Sequence, residues 1–273
     1  LKRYFFLFLG KWYFIAISVF VGLFVAYLVN RYSEEVYSVR ATLLVGNVTS
    51  PSKQGVQTLL REMSLTPERK MIQNEIGILK SYTLSYRAME ELPDFLITYV
   101  SVGRRGIAES KLYNRSPFVV EFDSTHQNLT GYALNITILS NEKYQIEIGE
   151  EVRTLAFGQE FKNERFSFKI FLRKPEIFQL SKQSNKYYFF LNSEHSLAVQ
   201  YMGKLNVEVN DEEGSLLTLS TSGYVAQQEA DYVNKITELY LRQELESKNL
   251  TSDNAILFID KQLAQYTDSV RKA

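Results

Sequence analysis

The chain of 273 residues contains no cysteine and only two histidines, His126 and His195. Without cysteine it can form no disulfide, thiol nucleophile or thiolate metal site. The two histidines are far apart in sequence and belong to no local cluster that would hold zinc or iron. We therefore expect neither a disulfide-stapled secreted domain nor a metal centre, and no bound cofactor.

The chain also lacks a net charge, because its 31 Lys and Arg residues equal its 31 Asp and Glu residues. A neutral chain has no long-range field to attract nucleic acid, so nucleic acid is not an expected partner. The sequence contains no phosphate-binding G-x-x-x-x-G-K-[ST] loop, no G-x-S-x-G elbow, no H-E-x-x-H and no G-x-G-x-x-G. We expect this segment to have no catalytic residue.

One long apolar run stands out near the amino terminus. From Trp12 to Val29 the sequence WYFIAISVFVGLFVAYLV has 18 residues without a charge, enough for a helix to cross most of a bilayer. Lys2, Arg3 and Lys11 precede the run, whereas only Arg31 follows it closely. By the positive-inside rule, the amino end is expected in the cytoplasm and the chain after about residue 31 outside the inner membrane. The predicted anchor residues are Trp12, Tyr13, Phe20, Phe24 and Tyr27.

Two other interpretations of this run fit the sequence less well. A cleaved signal peptide would have a shorter apolar region and a small-residue cleavage site, but the chain continues NRYSEEVY after Val29. A buried core helix of a soluble domain would have a charged face, and none exists here. The uncleaved anchor is the favoured interpretation.

The region after the anchor alternates between strand and helix signals. Residues 37–45 alternate apolar and polar side chains, as a half-buried strand does. A helix is predicted to begin at Thr66-Pro67, with a break and a second cap at Ser81. The sequences LNVEV and SLLTLS flank NDEEG, which indicates either a hairpin or two strands joined by a short loop.

Short apolar or alternating runs between residues 96 and 203 indicate a β-rich insertion: PFVVEF, YALNITIL, KYQIEI, RFSFKIFL and YYFFL. The predicted class is α+β. The predicted units are the cytoplasmic edge and transmembrane helix (1–31), a periplasmic α/β base domain (32–95 and 204–224), the β-rich insertion (96–203) and a long coiled-coil-like helix (225–273).

The long helix is predicted because residues 225–273 contain no proline or glycine and are rich in helix formers. Its distal part carries a heptad seam that requires a partner helix, either within the chain or from another copy. A second stripe precedes the seam. The seam stops at Ala273 without a terminator, so we expect the natural chain to continue. The stripe comprises Ala226, Ala230, Val233, Thr237 and Tyr240, and the seam comprises Ile256, Ile259, Leu263, Tyr266, Val270 and Ala273.

Two charged segments have a functional and a simpler interpretation. Asp211, Glu212 and Glu213 could act in acid/base chemistry or bind calcium, but an acidic turn is more commonly just solvated. Arg104 and Arg105 could contact an anionic glycan from an exposed loop, although a solvated loop is favoured.

Taken in order, several segments make the chain resemble the polysaccharide co-polymerase, or chain-length-determinant, family, in the larger form that is related to bacterial tyrosine kinases. One is the helix from Lys11-Trp12 followed by the strand EVYSVRATLLVG. Another is LNVEVNDEEGSLLTLSTSGYVAQQEADYVNKITELYLRQ, where the family has a strand pair and a helix with residues like Ala230, Asn234 and Tyr240. NEIGILKSYTLSYRAMEEL, with Ser81, is similar to the family's first extracytoplasmic helix.

The resemblance implies an inner-membrane protein with both termini in the cytoplasm and a second transmembrane helix beyond Ala273. It implies a ring-shaped homo-oligomer that acts on the length of a capsule, O-antigen or exopolysaccharide. The ring is expected to contact the polymerase or export machinery or, as an alternative that the sequence leaves open, the growing glycan. The helix-packing residues would be Ala230, Asn234, Tyr240, Ile256, Ile259, Leu263 and Tyr266.

Two alternatives stay open from the sequence. The chain could be the sensor half of a tyrosine kinase whose catalytic domain follows Ala273. A membrane-fusion or secretion adaptor also joins an anchor to a β-rich module and long helices, although no lipoyl-like hairpin repeat is found here.

Overall fold

The computed structural model describes residues 12–45, 67–103, 108–149, 151–173, 185–210 and 216–272. Within these ranges the chain combines helices with antiparallel sheets, which confirms the predicted α+β class. The acidic residues 211–213 and the arginines at 104 and 105 lie outside the described residues. The described helices are α1 (Trp12–Tyr32), α2 (Pro67–Leu79), α3 (Tyr82–Glu90), α4 (Glu194–Lys204) and α5 (Ala226–Lys272).

The described strands form three antiparallel sheets, in the orders β1-β12-β11, β3-β2-β10-β5-β6-β7 and β4-β9-β8. Two short 3₁₀ turns are present: Pro93–Phe95 connects α3 to β2, and Tyr113–Arg115 lies between β3 and β4. The strands are β1 (Tyr37–Leu44), β2 (Ile97–Val102), β3 (Glu109–Lys111), β4 (Phe118–Phe122), β5 (Leu134–Ile138), β6 (Lys143–Ile148), β7 (Glu151–Ala156), β8 (Glu160–Lys162), β9 (Ser167–Leu172), β10 (Lys186–Leu191), β11 (Asn206–Val209) and β12 (Leu216–Gly223).

The first core lies between the β1-β12-β11 sheet and the helices that pack on it. Strand β12 is central and turns Leu217 and Leu219 inward. Strand β1 contributes Leu43 from the face that its alternating pattern predicts. Ser81 caps α3, because its hydroxyl accepts a hydrogen bond from the backbone N–H of Leu84 at 3.2 Å, as the sequence predicts. Strands β11 and β12 pair as a hairpin-like ladder, which decides between the two interpretations of the NDEEG region.

A second core lies between the six-stranded sheet and the β4-β9-β8 sheet. Its side chains come from both sheets, so the two sheets pack face to face as a sandwich. Aromatic rings dominate it, and Phe118 and Phe189 meet edge to face with centroids 6.1 Å apart. The five strands expected from the apolar runs of the insertion are present as β4, β5, β6, β9 and β10.

One segment of the expected β-rich range is helical. Residues Glu194–Lys204 form α4, and its Leu197, Ala198 and Tyr201 lie in the first core rather than in the sandwich. The helix forms because Ser193 caps it, accepting from the backbone N–H of Ser196 at 3.2 Å, and because the three buried residues recur on one helical face.

Candidate functional site

Helix α1 has the length and composition to cross a membrane. Its span Trp12–Arg31 has a mean hydropathy of 2.3 and none of it is buried against the rest of the chain. The apolar side chains therefore have no partner among the described residues, and lipid is the environment that suits them. The predicted anchor residues Trp12, Tyr13, Phe20, Phe24 and Tyr27 all lie on this helix and are exposed.

The end of α1 leads directly into the folded body. Ser33 N–H bonds to the carbonyl of Val29 at 2.8 Å, and β1 begins at Tyr37. The connection borders a cavity of about 310 Å³ between the helix end and β3. Arg31 and Glu35 line it from the connection, and Lys111 and Arg115 line it from the body.

Helix α5 divides into two parts with different surroundings. Its first part packs on the first core through Tyr232, Ile236 and Leu239, which are at most 1% exposed. From Leu241 onward its described apolar side chains are exposed to solvent. Ile256 and Ile259, for example, are 56% and 55% exposed. Leu263 and Tyr266 continue the helix backbone, but their side chains lie outside the described part. Ile256 and Ile259, the part of the seam whose side chains are described, are thus not covered by any other part of the described chain.

The expected stripe on the first part of α5 needs a correction. Val233 and Tyr240 of the stripe are buried in the first core, whereas Ala226, Ala230 and Thr237 are only partly buried. Asn234, predicted separately as a packing residue, is exposed. The core face is therefore centred beside the stripe, on Tyr232, Val233, Ile236 and the pair 239–240, where large apolar residues recur at helical spacing.

Tyr240 is one predicted packing residue that does lie in the core. It is 3% exposed and its hydroxyl donates to Glu75 Oε2 at 2.9 Å. Burial raises the pKa of the Tyr240 phenol, and the Glu75 carboxylate raises it further. Tyr240 therefore joins α5 to α2 within one chain. The structure brings the anchor, Tyr240 and the Ile256–Ile259 surface to three separate places.

A site that the sequence did not indicate lies where the base sheet, α4, α5 and the six-stranded sheet meet. There a cavity of about 420 Å³ is lined by aromatic rings, amides, two lysines and one carboxylate. The carboxylate, Glu229, is 2% exposed. Lys204 Nζ donates to its Oε1 at 2.9 Å and stands 4.6 Å from the Tyr201 ring centroid. Burial, together with the Glu229 charge, raises the pKa of Tyr201.

The second carboxylate oxygen of Glu229, Oε2, is buried but has no hydrogen-bond partner among the described residues. Gly223 lies against the same carboxylate, since a Cβ there would come within 1.9 Å of Oε1. The missing side chain at residue 223 makes room for Glu229 at this depth.

Tyr113 borders the cavity with a strained backbone. Its φ of 47° is the one positive value of a non-glycine residue in the described chain. The ring is buried, and its hydroxyl donates to Asp231 Oδ2 at 2.9 Å. Burial, the hydrogen bond and the Asp231 charge all raise the pKa of Tyr113. The contact ties the 3₁₀ turn after β3 to the first turns of α5.

Comparison with known proteins assigns no family. No family model matches the chain, and no curated protein matches it. Among solved structures, FlgL of Xanthomonas campestris is similar with 9% sequence identity and a TM-score of 0.26. The match covers 64% of this chain and 55% of the FlgL chain, so this chain spans about half the length of that protein. A likeness of this size carries no argument about fold or function.

Proposed function

We propose that the chain is a membrane-anchored, non-enzymatic scaffold of the polysaccharide co-polymerase type, which regulates the length or export of a bacterial surface polysaccharide. In this proposal α1 lies in the inner membrane and the α+β body stands on its periplasmic side. The distal part of α5 packs against other copies of the chain to form a ring, and the ring contacts the polymerase or export machinery.

One observation supports the proposal. Two separate apolar surfaces of the described chain, one on α1 and one on the distal part of α5, lack a partner, and the first suits lipid whereas the second suits another protein chain. Helix α1 is apolar on all faces, as a lipid-facing helix is. The distal α5 is polar overall, with apolar residues such as Ile256 and Ile259 exposed among charged ones. That mixture favours a protein partner over lipid.

A second copy of the chain is the partner that suits the distal α5. The helix of 47 residues extends about 70 Å at the usual rise per residue, so most of its second half lies beyond the core that holds its first half. The neutral net charge of the chain sets up no overall repulsion between copies. Side-by-side packing of such helices buries the exposed apolar residues of distal α5, such as Ile256 and Ile259, without any change in the body.

Introducing charged residues into the seam of distal α5 tests whether this helix holds copies of the chain together. We expect Ile259→Asp with Leu263→Asp to shift the detergent-solubilised chain to smaller species in light scattering, since each carboxylate would be buried in the helix interface. Asn254→Asp adds one carboxylate to the same exposed helix outside the seam, and the single variant Ile259→Asp, which adds one carboxylate within the seam, is its matched comparison. An unchanged mass in the double variant would contradict the assembly role of α5.

The function is tested in cells. A strain that carries the double variant in place of the native chain is expected to make surface polysaccharide of altered length distribution, resolved by gel electrophoresis, while the Asn254→Asp strain keeps the native distribution. Native lengths in a strain without the chain would contradict the proposed function. Growth in the same strains controls for general envelope damage.

A further inference from the structure

The cavity of about 310 Å³ at the end of α1 has positive charge on two of its sides. Arg31 lines it from the helix, and Lys111 and Arg115 line it from the body. Lys111 Nζ lies 5.6 Å from the centroid of the Tyr224 ring. The guanidinium groups of Arg31 and Arg115 are exposed and form no hydrogen bond or ion pair among the described residues. One guanidinium of the anchor and one of the body are thus available at the same cavity.

Three carboxylates line the same cavity, Glu34 and Glu35 from the connection and Glu109 from β3. The Tyr37 hydroxyl donates to Glu35, and the Tyr188 hydroxyl donates to Glu109 Oε2 at 2.7 Å. Glu34 forms no hydrogen bond or ion pair among the described residues. Charges of both signs therefore border one space without meeting, and a ligand that carries both signs could join them.

The depth of the cavity along α1 narrows the choice of ligand. The span Trp12–Arg31 has 20 residues, which extend about 30 Å and match the hydrocarbon core of a bilayer. Arg31 then lies at the boundary of the core, and Glu34 and Glu35 follow it into a headgroup layer that is about 5–8 Å thick. This placement rests on the proposed function, in which α1 crosses the membrane. Phospholipid headgroups are the charged groups that fill this layer.

The charges of the cavity distinguish between headgroups. Guanidinium groups such as those of Arg31 and Arg115 donate paired hydrogen bonds to phosphate oxygens. The Glu34 carboxylate accepts hydrogen bonds, which a primary ammonium donates and a choline, having no N–H, does not. A glycerol headgroup has the phosphate but no cation. Phosphoethanolamine supplies both groups, and its zero net charge suits a cavity with three cationic and three anionic side chains.

We propose that this cavity binds the headgroup of one phosphatidylethanolamine molecule, with Arg31 and Arg115 donating to its phosphate and Glu34 accepting from its ammonium. The acyl chains lie beside the apolar side chains of α1, none of which is buried against the rest of the described chain. Because Arg31 belongs to the anchor and Arg115 to the body, the lipid joins the two and holds the body against the membrane surface.

The test is native mass spectrometry of the full chain purified in detergent and mixed with equal amounts of phosphatidylethanolamine, phosphatidylcholine or phosphatidylglycerol. We expect one phosphatidylethanolamine to be retained in preference to the other two lipids. Arg115→Gln should weaken its binding about fivefold, the contribution of one cationic side chain near a lipid surface. Glu34→Gln should weaken the binding of phosphatidylethanolamine but not of phosphatidylglycerol, which has no ammonium to lose a partner.

Arg165→Gln is the matched control for Arg115→Gln. Arg165 is an exposed arginine of the body that does not line the cavity, and its variant should bind phosphatidylethanolamine as the native chain does. Equal retention of the three lipids, or equal binding by the Arg115 and Arg165 variants, would overturn the site.

A free anion is distinguished from a lipid by adding millimolar inorganic phosphate. We expect the lipid to stay bound, whereas its displacement by phosphate would identify a general anion site and overturn the choice of lipid. Lipid retention is read without polysaccharide and without assembly of copies. Selective retention with unaltered polysaccharide lengths would therefore contradict only the proposed function, and altered lengths without selective retention would contradict only the lipid site.

Discussion

Gly223 shows how a single residue fixes the buried carboxylate. Alanine at this position would place its Cβ 1.9 Å from Glu229 Oε1 and 2.6 Å from Cδ, so the carboxylate must move within a buried site. We expect Gly223→Ala to lower the free energy of unfolding by about 1–3 kcal/mol, as overpacking of a core does. Urea unfolding followed by circular dichroism measures the change.

Gly77 provides the matched control. It lies in α2, where a Cβ would meet nothing within 4 Å. Gly77→Ala should raise the stability by about 0.5–1 kcal/mol, because alanine is the better helix former. Equal effects of the two substitutions would show that residue 223 is not crowded.

Buried tyrosines predict how the fold responds to alkali. Burial raises the pKa of Tyr99, Tyr144 and Tyr232 from 10.0 to about 12. The folded state thus favours the neutral phenol, and the stability that this gives is fully present below pH 10 and is lost as the pH rises through about 12. Tyrosinate absorbance should appear for exposed tyrosines first and for these three only together with unfolding. Early, complete titration in the folded state would contradict their burial.

The residue scale is where sequence reasoning was least informative. Glu229 and Lys204 lie 25 positions apart, and neither belongs to a motif, so only the fold shows that they pair in a cavity. A glutamate in the first turn of a helix is ordinarily explained by the helix dipole alone. Tyr240 was expected to pack, and it does, but against α2 through Glu75 of the same chain.

Helix α5 carries the main prediction at the scale of elements. Ile236 is 0% exposed in the first core, whereas Ile256 is 56% exposed on the distal part. Ile236→Ala should lower the free energy of unfolding of the body by about 2–5 kcal/mol, the usual loss for a buried aliphatic side chain. Ile256→Ala should change the unfolding of dissociated chains by less than about 0.5 kcal/mol.

The comparison of the two isoleucines needs chains that are dispersed in detergent, since Ile256 is expected to contribute only in the assembly. Chemical unfolding of dilute and of concentrated samples distinguishes a contribution of Ile256 within one chain from a contribution that exists only in the assembly. A large loss for Ile256→Ala in dilute samples would mean that the distal part of α5 packs within its own chain.

Elements that have a clear sequence signal, such as a regular spacing of apolar residues or a capping residue, were predictable from the sequence. Strand β1, the Ser81 cap of α3 and the five apolar strands of the sandwich follow from alternation, a capping residue and β-branched or aromatic runs. Strands β2, β3, β7 and β8 were not predicted. Strands β3, β7 and β8 are short or polar and mostly exposed, and β2, with the sequence ITYVSV, lacks a strict alternation of apolar and polar residues. Helix α4 was missed because only three of its residues are buried, too few to dominate the local pattern.

At the scale of the whole molecule, the sequence predicted an apolar helix, an α+β body and helical residues after 225, and all three are observed. The division into two cores depends on long-range pairing that no local pattern specifies. Strand β1 pairs with β12 although most of the chain lies between them, and β2 pairs with β10 around the sandwich. Orientation in the membrane and packing between copies involve partners outside the chain and stay predictions.

The central claim, that α1 holds the body on the outer side of the inner membrane, is tested most directly by cysteine labelling. The chain has no cysteine, so a single introduced thiol reports without background. Val152→Cys lies on β7 at a side chain that is 55% exposed, and Lys2→Cys precedes the anchor. We expect a membrane-impermeant maleimide to label residue 152 in intact spheroplasts, and residue 2 only after permeabilisation. Protection of residue 152, or release of the labelled chain as a soluble protein, would contradict the account.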